Sequence, residues 1–320
     1  MSTSVTPCAT PAMVVPPGFN MADAVTLAGL VETAYDQFDA WAAAGYPSES
    51  DWTWSPPTGT GFSYSAALWG DAEVLYDNNW EPFGFVAWDG AGNAYVVYRG
   101  TMTTADEYKD AEVAQTAYTL SSSQDYGYVH EGFFGIYQTL SPVTLAALDE
   151  ANGDAPVTTL WFTGHSMGSG LATLAVADVF SNWSGAKGLA GAAMYNFASP
   201  RVGDPQFACA MNGVLSFPFY RVVNSEDVVP ATPPAASDTS TFYEHVGEQA
   251  TFTAQYLSIT GNHSMADCYL YAVNNPGSPQ GPQQSTFLNA VTGFANGRRS
   301  ARAIPNAAAA ALRVPAVTAP

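Results

Sequence analysis

The sequence of 320 residues predicts an α/β domain with a mostly parallel central sheet flanked by helices. Three observations carry that expectation. Apolar and β-branched runs at 157–163 (VTTLWFT), 192–198 and 217–223 read as strands buried on both faces. A helical pattern, LATLAVADVF at 171–180, follows the first of them after a tight turn, and polar loops follow the other two. The chain is 47% hydrophobic and 13% aromatic, a composition that excludes disorder for most of its length.

Residues 1–20 (MSTSVTPCATPAMVVPPGFN) have no period and predict an extended arm that packs late or not at all. From Ala22 to Tyr46, Ala24, Leu27, Val31, Ala34, Tyr35, Phe38 and Trp41 recur near helical spacing and predict one amphipathic helix. A Pro-, Gly- and Ser-rich loop runs on to about Gly61. Two short runs, 83–89 and 94–98, separated by Gly-containing turn residues, predict a β-hairpin. Thr104 and Glu107 fit a capping box opening a short helix toward Ala117. Ser141-Pro142 predicts the start of another helix that Gly153 stops. The folded domain is expected over 21–295. Residues 296–320, with four of the nine basic residues (Arg298, Arg299, Arg302, Arg313) and an Ala/Pro run, are expected to be disordered.

With 28 acidic and 9 basic residues the net charge is −19, which repels phosphate backbones and argues against nucleic acid as a partner. Cys8, Cys209 and Cys268 are too few and too scattered for a disulfide framework or a CxxC metal site. No lysine or arginine precedes Arg99, so no signal-peptide n-region is readable, and no apolar run reaches the ~18 residues of a membrane span. The chain is expected to be soluble, not inserted in a membrane, and monomeric; export is left open. No carboxylate–histidine cluster has metal spacing and no GxGxxG follows a strand, so neither a metal nor a redox cofactor is expected.

Between the predicted strand and helix lies Gly164-His165-Ser166-Met167-Gly168, a GxSxG pattern whose small flanking residues permit a strained turn that lifts a serine hydroxyl out of the backbone. A serine hydroxyl is a weak nucleophile near neutral pH, so it needs an imidazole to take its proton and a carboxylate to orient that imidazole. His165 is badly placed to reach its neighbour's Oγ, and His130 precedes the serine, against the order serine, acid, histidine. His245 and His263 remain, evenly matched. For the acid, Glu226 and Asp227 follow the strand at 217–223. Asp204 is the rival, but Asp204-Pro205 reads as a helix N-cap with proline at the first position. Among oxyanion donors, the backbone N–H of Met167, the residue after the serine, is expected to be one.

Several stretches, in order, resemble the class 3 (fungal-type) lipases of the α/β-hydrolase superfamily. They are VVYRGT at 96–101, VHEGF at 129–133, FTGHSMGSGLA at 162–172, FASPRVGDPQFA at 197–208, RVVNSEDVVPATPP at 221–234, YEHVG at 243–247 and NHSMADCYL at 262–270. The resemblance implies an α/β-hydrolase fold, with Ser166 as nucleophile, Asp227 as acid and His263 as base, and leaves His245 and His130 as structural imidazoles. It implies Thr101, after the Arg-Gly pair, as the second oxyanion donor. It implies a lid over 102–123, here unusually polar: Thr103, Thr104, Asp106, Glu107, Lys109, Asp110, Glu112 and Gln115 leave little apolar face for an oil surface. The implied activity is hydrolysis of carboxylic esters, acylglycerols among them, without cofactor. Feruloyl esterase and phospholipase A activities share the triad, and a catalytically silent binding protein is the rival of another class. The family's habit of tying its N-terminal arm to the C-terminal region suggests a Cys8–Cys268 bridge, with Cys209 free and buried.

Overall fold

A computed structural model describes residues 11–72, 80–101, 113–122, 124–214 and 217–282. Its strands are β1 (Ser63–Tyr64), β2 (Leu68–Asp71), β3 (Trp80–Trp88) and β4 (Asn93–Tyr98), a small ribbon of β5 (Gln115–Ala117) and β6 (Tyr128–His130), then β7 (Thr159–His165), β8 (Gly191–Phe197), β9 (Phe219–Asn224) and β10 (Glu248–Phe252). Eight of them form one sheet in the order β1-β3-β4-β7-β8-β9-β10, with β2 also on β3. The predicted hairpin is β3–β4, antiparallel with Val86 opposite Val96, and the predicted buried strands β7, β8 and β9 run parallel. From β4 to β10 every pairing is parallel, so five strands deliver their carboxyl ends to one edge of the sheet. That edge is where such folds place their chemistry.

Near-continuous apolar sequence in these strands reflects burial on both faces. One face carries Val86, Val96, Leu160, Phe162 and Met194 against α2 (Glu131–Asp154) and α3 (Met167–Asn182). The other carries Phe85, Val97, Trp161, Tyr195 and Val222 against α1 (Met21–Ala43). In α1 the predicted stripe Ala24, Leu27, Val31, Ala34, Tyr35, Phe38 and Trp41 is buried throughout, and Asn20 caps it by accepting from the Ala22 N–H at 2.9 Å. Each large side chain of that stripe contributes about 1.5–3 kcal/mol by leaving water. Gly84 sits at φ 152, where a Cβ would lie 1.9 Å from the Val97 carbonyl oxygen, so only glycine lets β4 approach β3 there.

Several expectations need correction. Helix α2 begins at Glu131 rather than at Ser141 and passes through Pro142. His130 caps it, its Nδ1 accepting from the Phe133 N–H at 3.3 Å, and the face Phe133, Phe134, Ile136, Tyr137 and Leu140 is buried before the proline is reached. Core packing over three turns outweighs one missing N–H. The capping box at Thr104–Glu107 lies outside the described residues; the end of that predicted helix, Gln115–Ala117, is strand β5, paired with β6. The arm packs over its described part: Val14 bridges Thr251, and the Phe19 ring meets Tyr195 and Tyr220 at 5.2 and 5.3 Å. Cys209 is a free thiol, as expected, but exposed on α4 (Pro205–Val214). Cys268 is a free, buried thiol, while its suggested partner Cys8 and the C-terminal tail lie outside the described residues.

Asp23, in the first turn of α1, is buried, and loss of solvation pushes its carboxyl up to about 7 from 3.8. The folded state therefore keeps this proton to a higher pH than the unfolded chain does, and stability falls as pH rises from about 4 through 7. The helix N-terminus favours a negative charge and offsets part of the loss, leaving on the order of 2 kcal/mol. Asp23→Asn flattens that stretch of the profile: relative to wild type it raises the melting temperature by several degrees at about pH 8 and leaves it unchanged near pH 4. Thermal unfolding followed by circular dichroism across this range checks the sign.

Candidate active site

Ser166 stands between β7 and α3 at φ 58, ψ −128, a left-handed conformation that an ordinary residue holds only under strain. Two glycines make the turn possible. A Cβ on Gly164 would lie 2.2 Å from the Gly168 carbonyl oxygen, and one on Gly168 would lie 2.3 Å from that of Arg99. The elbow thus packs directly on the exit of β4, and Gly100 passes so close that its Cβ would sit 2.9 Å from Ser166 Cβ. Thr101 follows at that exit, and Met167 opens α3, buried beside the serine.

The acid comes from the loop after β9 and the histidine from α5 (Ile259–His263), beyond β10. His263 Nε2 lies 2.7 Å from Ser166 Oγ, and His263 Nδ1 lies 2.7 Å from Asp227 Oδ2. A carboxylate only accepts, so Nδ1 carries the proton and Nε2 presents its lone pair to the serine hydroxyl. Asp227 Oδ2 also accepts from the Tyr269 hydroxyl at 2.7 Å, and Oδ1 from the Val229 N–H at 3.0 Å. Burial and the charge of Asp227 push the Tyr269 phenol well above its usual range, which keeps it a donor.

All three residues predicted for the triad are thus brought into one hydrogen-bonded line. His245 stands elsewhere, its Nε2 donating to the Pro230 carbonyl at 2.9 Å, and Asp204 caps α4 through the Phe207 N–H at 2.7 Å. Glu226 turns away and accepts from Gln255 Nε2 at 2.9 Å. His165 Nδ1 pairs with the Tyr35 hydroxyl at 2.7 Å, and that same hydroxyl accepts from the Gly100 N–H at 3.0 Å, so α1 ties the elbow to the β4 exit.

Residue-by-residue reading missed the partners of the triad. Tyr269 entered only as part of a motif, although its hydroxyl, six residues after the histidine, donates to the same carboxylate oxygen as His263. Asn224 and Asn262 were also missed. The Asn224 amide donates to the carbonyls of Ala254 and Asn262 at 2.9 and 3.0 Å, and Asn262 Nδ2 donates to that of Glu226 at 2.9 Å. These bonds lace the acid loop to the segment that carries His263. Among the described residues, no group of three or more His, Cys, Asp and Glu side chains has the placement to hold a metal ion.

The profile of the family described as "Lipase (class 3)" matches residues 95–237, from β4 past the acid. Over that stretch the chain matches the class 3 lipase family. The chain is 31% identical over 183 residues to a lipase of Rhizomucor miehei, covering 56% of this chain and 46% of the relative. It is 28% identical over 234 residues to phospholipase A1-II 1 of Oryza sativa subsp. indica, covering 64% and 57%. The chain therefore spans about half the length of these curated relatives. Among solved structures it resembles a lipase from Rhizopus microsporus var. chinensis (TM-score 0.56, 23% identity, covering 76% of this chain and 78% of that one). It likewise resembles lipase II from Rhizopus niveus (TM-score 0.55, 22% identity, covering 75% and 82%). The fold is the α/β-hydrolase fold.

Proposed function

We propose that the chain hydrolyses carboxylic esters through an acyl-enzyme on Ser166. The observation that carries this reading is the continuous line from Asp227 through His263 to a serine held at positive φ where the parallel strands end. As the serine oxygen attacks the ester carbonyl, its proton passes to His263 Nε2, and Asp227 stabilises the resulting imidazolium. The carbonyl oxygen, now negative, takes the amides of Met167 and Thr101, each donor worth on the order of a hundredfold in rate. His263 then delivers the proton to the leaving alcohol oxygen. A water attacks the acyl-enzyme with the same imidazole as base, the acid departs and Ser166 regains its proton.

The match to class 3 lipases over residues 95–237 supports acylglycerols as the substrate class. Relatives named phospholipase A1 favour a second reading in which the acyl ester belongs to a glycerophospholipid, against which a charge of −19 weighs for anionic surfaces. The predicted lid falls largely on 102–112 and 123, outside the described residues, and its polar sequence supports short or soluble esters. Initial rates on p-nitrophenyl esters from acetyl to palmitoyl, with Ser166→Ala as blank, test this. The expected result is a maximum at short chains with smooth saturation. A maximum at long chains with a jump at the solubility limit overturns the short-ester preference, and faster turnover of phosphatidylcholine vesicles than of either triacylglycerol or p-nitrophenyl esters transfers the proposal to the phospholipid. No fluorophosphonate labelling of Ser166 in the folded protein would sink the hydrolase reading and leave a binding protein.

A further inference from the structure

Strand β9 ends at Asn224, a fully buried residue that takes no part in the proton transfer. Backbone pairing with β10 ends at the same level, where Asn224 stands opposite Phe252. The side-chain amide then continues the ladder: Oδ1 accepts from the Ala254 N–H at 2.9 Å and Nδ2 donates to the Ala254 carbonyl at 2.9 Å. Nδ2 also donates to the Asn262 carbonyl at 3.0 Å, which belongs to the peptide unit joining Asn262 to His263.

On its other side Asn224 holds the acid loop. Oδ1 accepts from the Glu226 N–H at 3.3 Å, and the backbone carbonyl from the Asp227 N–H at 3.0 Å. The Asn224 N–H reaches the Tyr269 hydroxyl at 3.2 Å, and that hydroxyl donates to Asp227 Oδ2 at 2.7 Å. A phenol oxygen that accepts from an amide on one side directs its single proton to the other, here to the carboxylate. The amide oxygen of Asn224 thus faces N–H groups and its nitrogen faces carbonyls, so a flipped amide would set like against like. Such a satisfied buried network specifies one geometry, because displacement leaves a donor or an acceptor unmet. Asn262 adds a second tie: Oδ1 accepts from the Tyr256 N–H at 2.7 Å and Nδ2 donates to the Glu226 carbonyl at 2.9 Å.

We propose that Asn224 is a positioning residue for the reaction, its amide setting the distance between Asp227 and His263 with Asn262 as the second tie. The proposal rests on the triad reading above. Helix α5 has five residues, far below the length at which a helix holds itself, and the acid sits in a turn. Neither element fixes its own place, so the bonds between them must. Proton transfer to Nε2 depends on Nδ1–H staying on Oδ2, and a misplacement on the order of 1 Å costs about a hundredfold in rate.

The test compares Asn224→Ala with wild type in three readouts. These are kcat per fluorophosphonate-titrated site and KM, both on a soluble p-nitrophenyl ester, and the far-downfield proton resonance of the His263 Nδ1–H bound to Asp227. The expected result, in protein with wild-type circular dichroism, is kcat down about a hundredfold, KM within about twofold, and the resonance lost. A residue that only filled space would lower the melting temperature and leave kcat per site and the resonance in place. Where Asn224→Ala does not fold, Asn262→Ala removes the second tie alone, with an expected loss of about tenfold in kcat and a broadened resonance. A kcat within about threefold of wild type, or an unchanged resonance, in whichever variant folds overturns the proposal. A wild-type protein that lacks the resonance strikes the triad reading and this proposal with it, whereas its persistence in the variant strikes this proposal alone.

Discussion

Ser166→Ala and His263→Ala each lower kcat on a soluble p-nitrophenyl ester at least about ten-thousandfold, and the double variant is no slower than either single one. Both residues act in one proton transfer, so removing either removes the whole step. What survives is expected to come from the proposed oxyanion donors and from binding. Asp227→Asn discriminates further. Oδ2 accepts from His263 Nδ1 and the Tyr269 hydroxyl, and Oδ1 from the Val229 N–H. An asparagine has one oxygen for these donors, so its NH₂ group must face at least one of them. If it faces the histidine, Nδ1 becomes the acceptor and Nε2 carries the proton, which leaves nothing to receive the serine's. The expected loss is about a thousandfold or more in kcat with KM nearly unchanged. Tyr269→Phe keeps the tautomer and removes one of three donors to the acid, for a loss nearer tenfold. Activity of Asp227→Asn within tenfold of wild type would show that the carboxylate neither orients nor stabilises His263.

The elbow was legible because its constraint is local. Strand, two glycines and helix occupy one short stretch, and steric closeness at Gly164 and Gly168 can be met in no other way. The acid was legible down to a choice, since Glu226 and Asp227 both follow β9 and only the turn geometry decides which one points inward. His263 against His245 was not legible from residue chemistry at all. The two stand 18 positions apart, and their roles separate through what the chain does after β10, a strand whose sequence, EQATF, carries no strong pattern. Helix α2 was misplaced for the opposite reason. Pro142 is a strong local signal, and the signal that overrides it, burial of Phe133, Phe134 and Tyr137 against α3 and the sheet, exists only once the chain is folded.

Truncating the partner of Arg99 brings the largest expected loss of stability. The side chain is fully buried. Nη2 pairs with Glu81 Oε1 at 2.8 Å, Nε donates to the Pro82 carbonyl at 2.8 Å, and Nη1 donates to the Gly100 carbonyl at 2.7 Å. The guanidinium carbon lies 4.0 Å over the centre of the Phe38 ring. Glu81→Ala leaves that cation buried and unpaired, at a cost of about 3–5 kcal/mol and roughly 10 °C in melting temperature. The double variant Arg99→Met with Glu81→Leu removes charge and countercharge together and is expected to recover most of this loss, because a buried ion pair repays little more than its own desolvation. Activity follows a different course. The Gly100 carbonyl then has no guanidinium holding it, and the next residue is Thr101, at the exit against which Ser166 packs. A stable double variant with kcat reduced tenfold or more, and KM little changed, separates positioning of the proposed oxyanion donor from folding. Full recovery of both stability and kcat would mean that Arg99 serves the core alone and that Tyr35, through its bond to the Gly100 N–H, suffices to hold the strand exit.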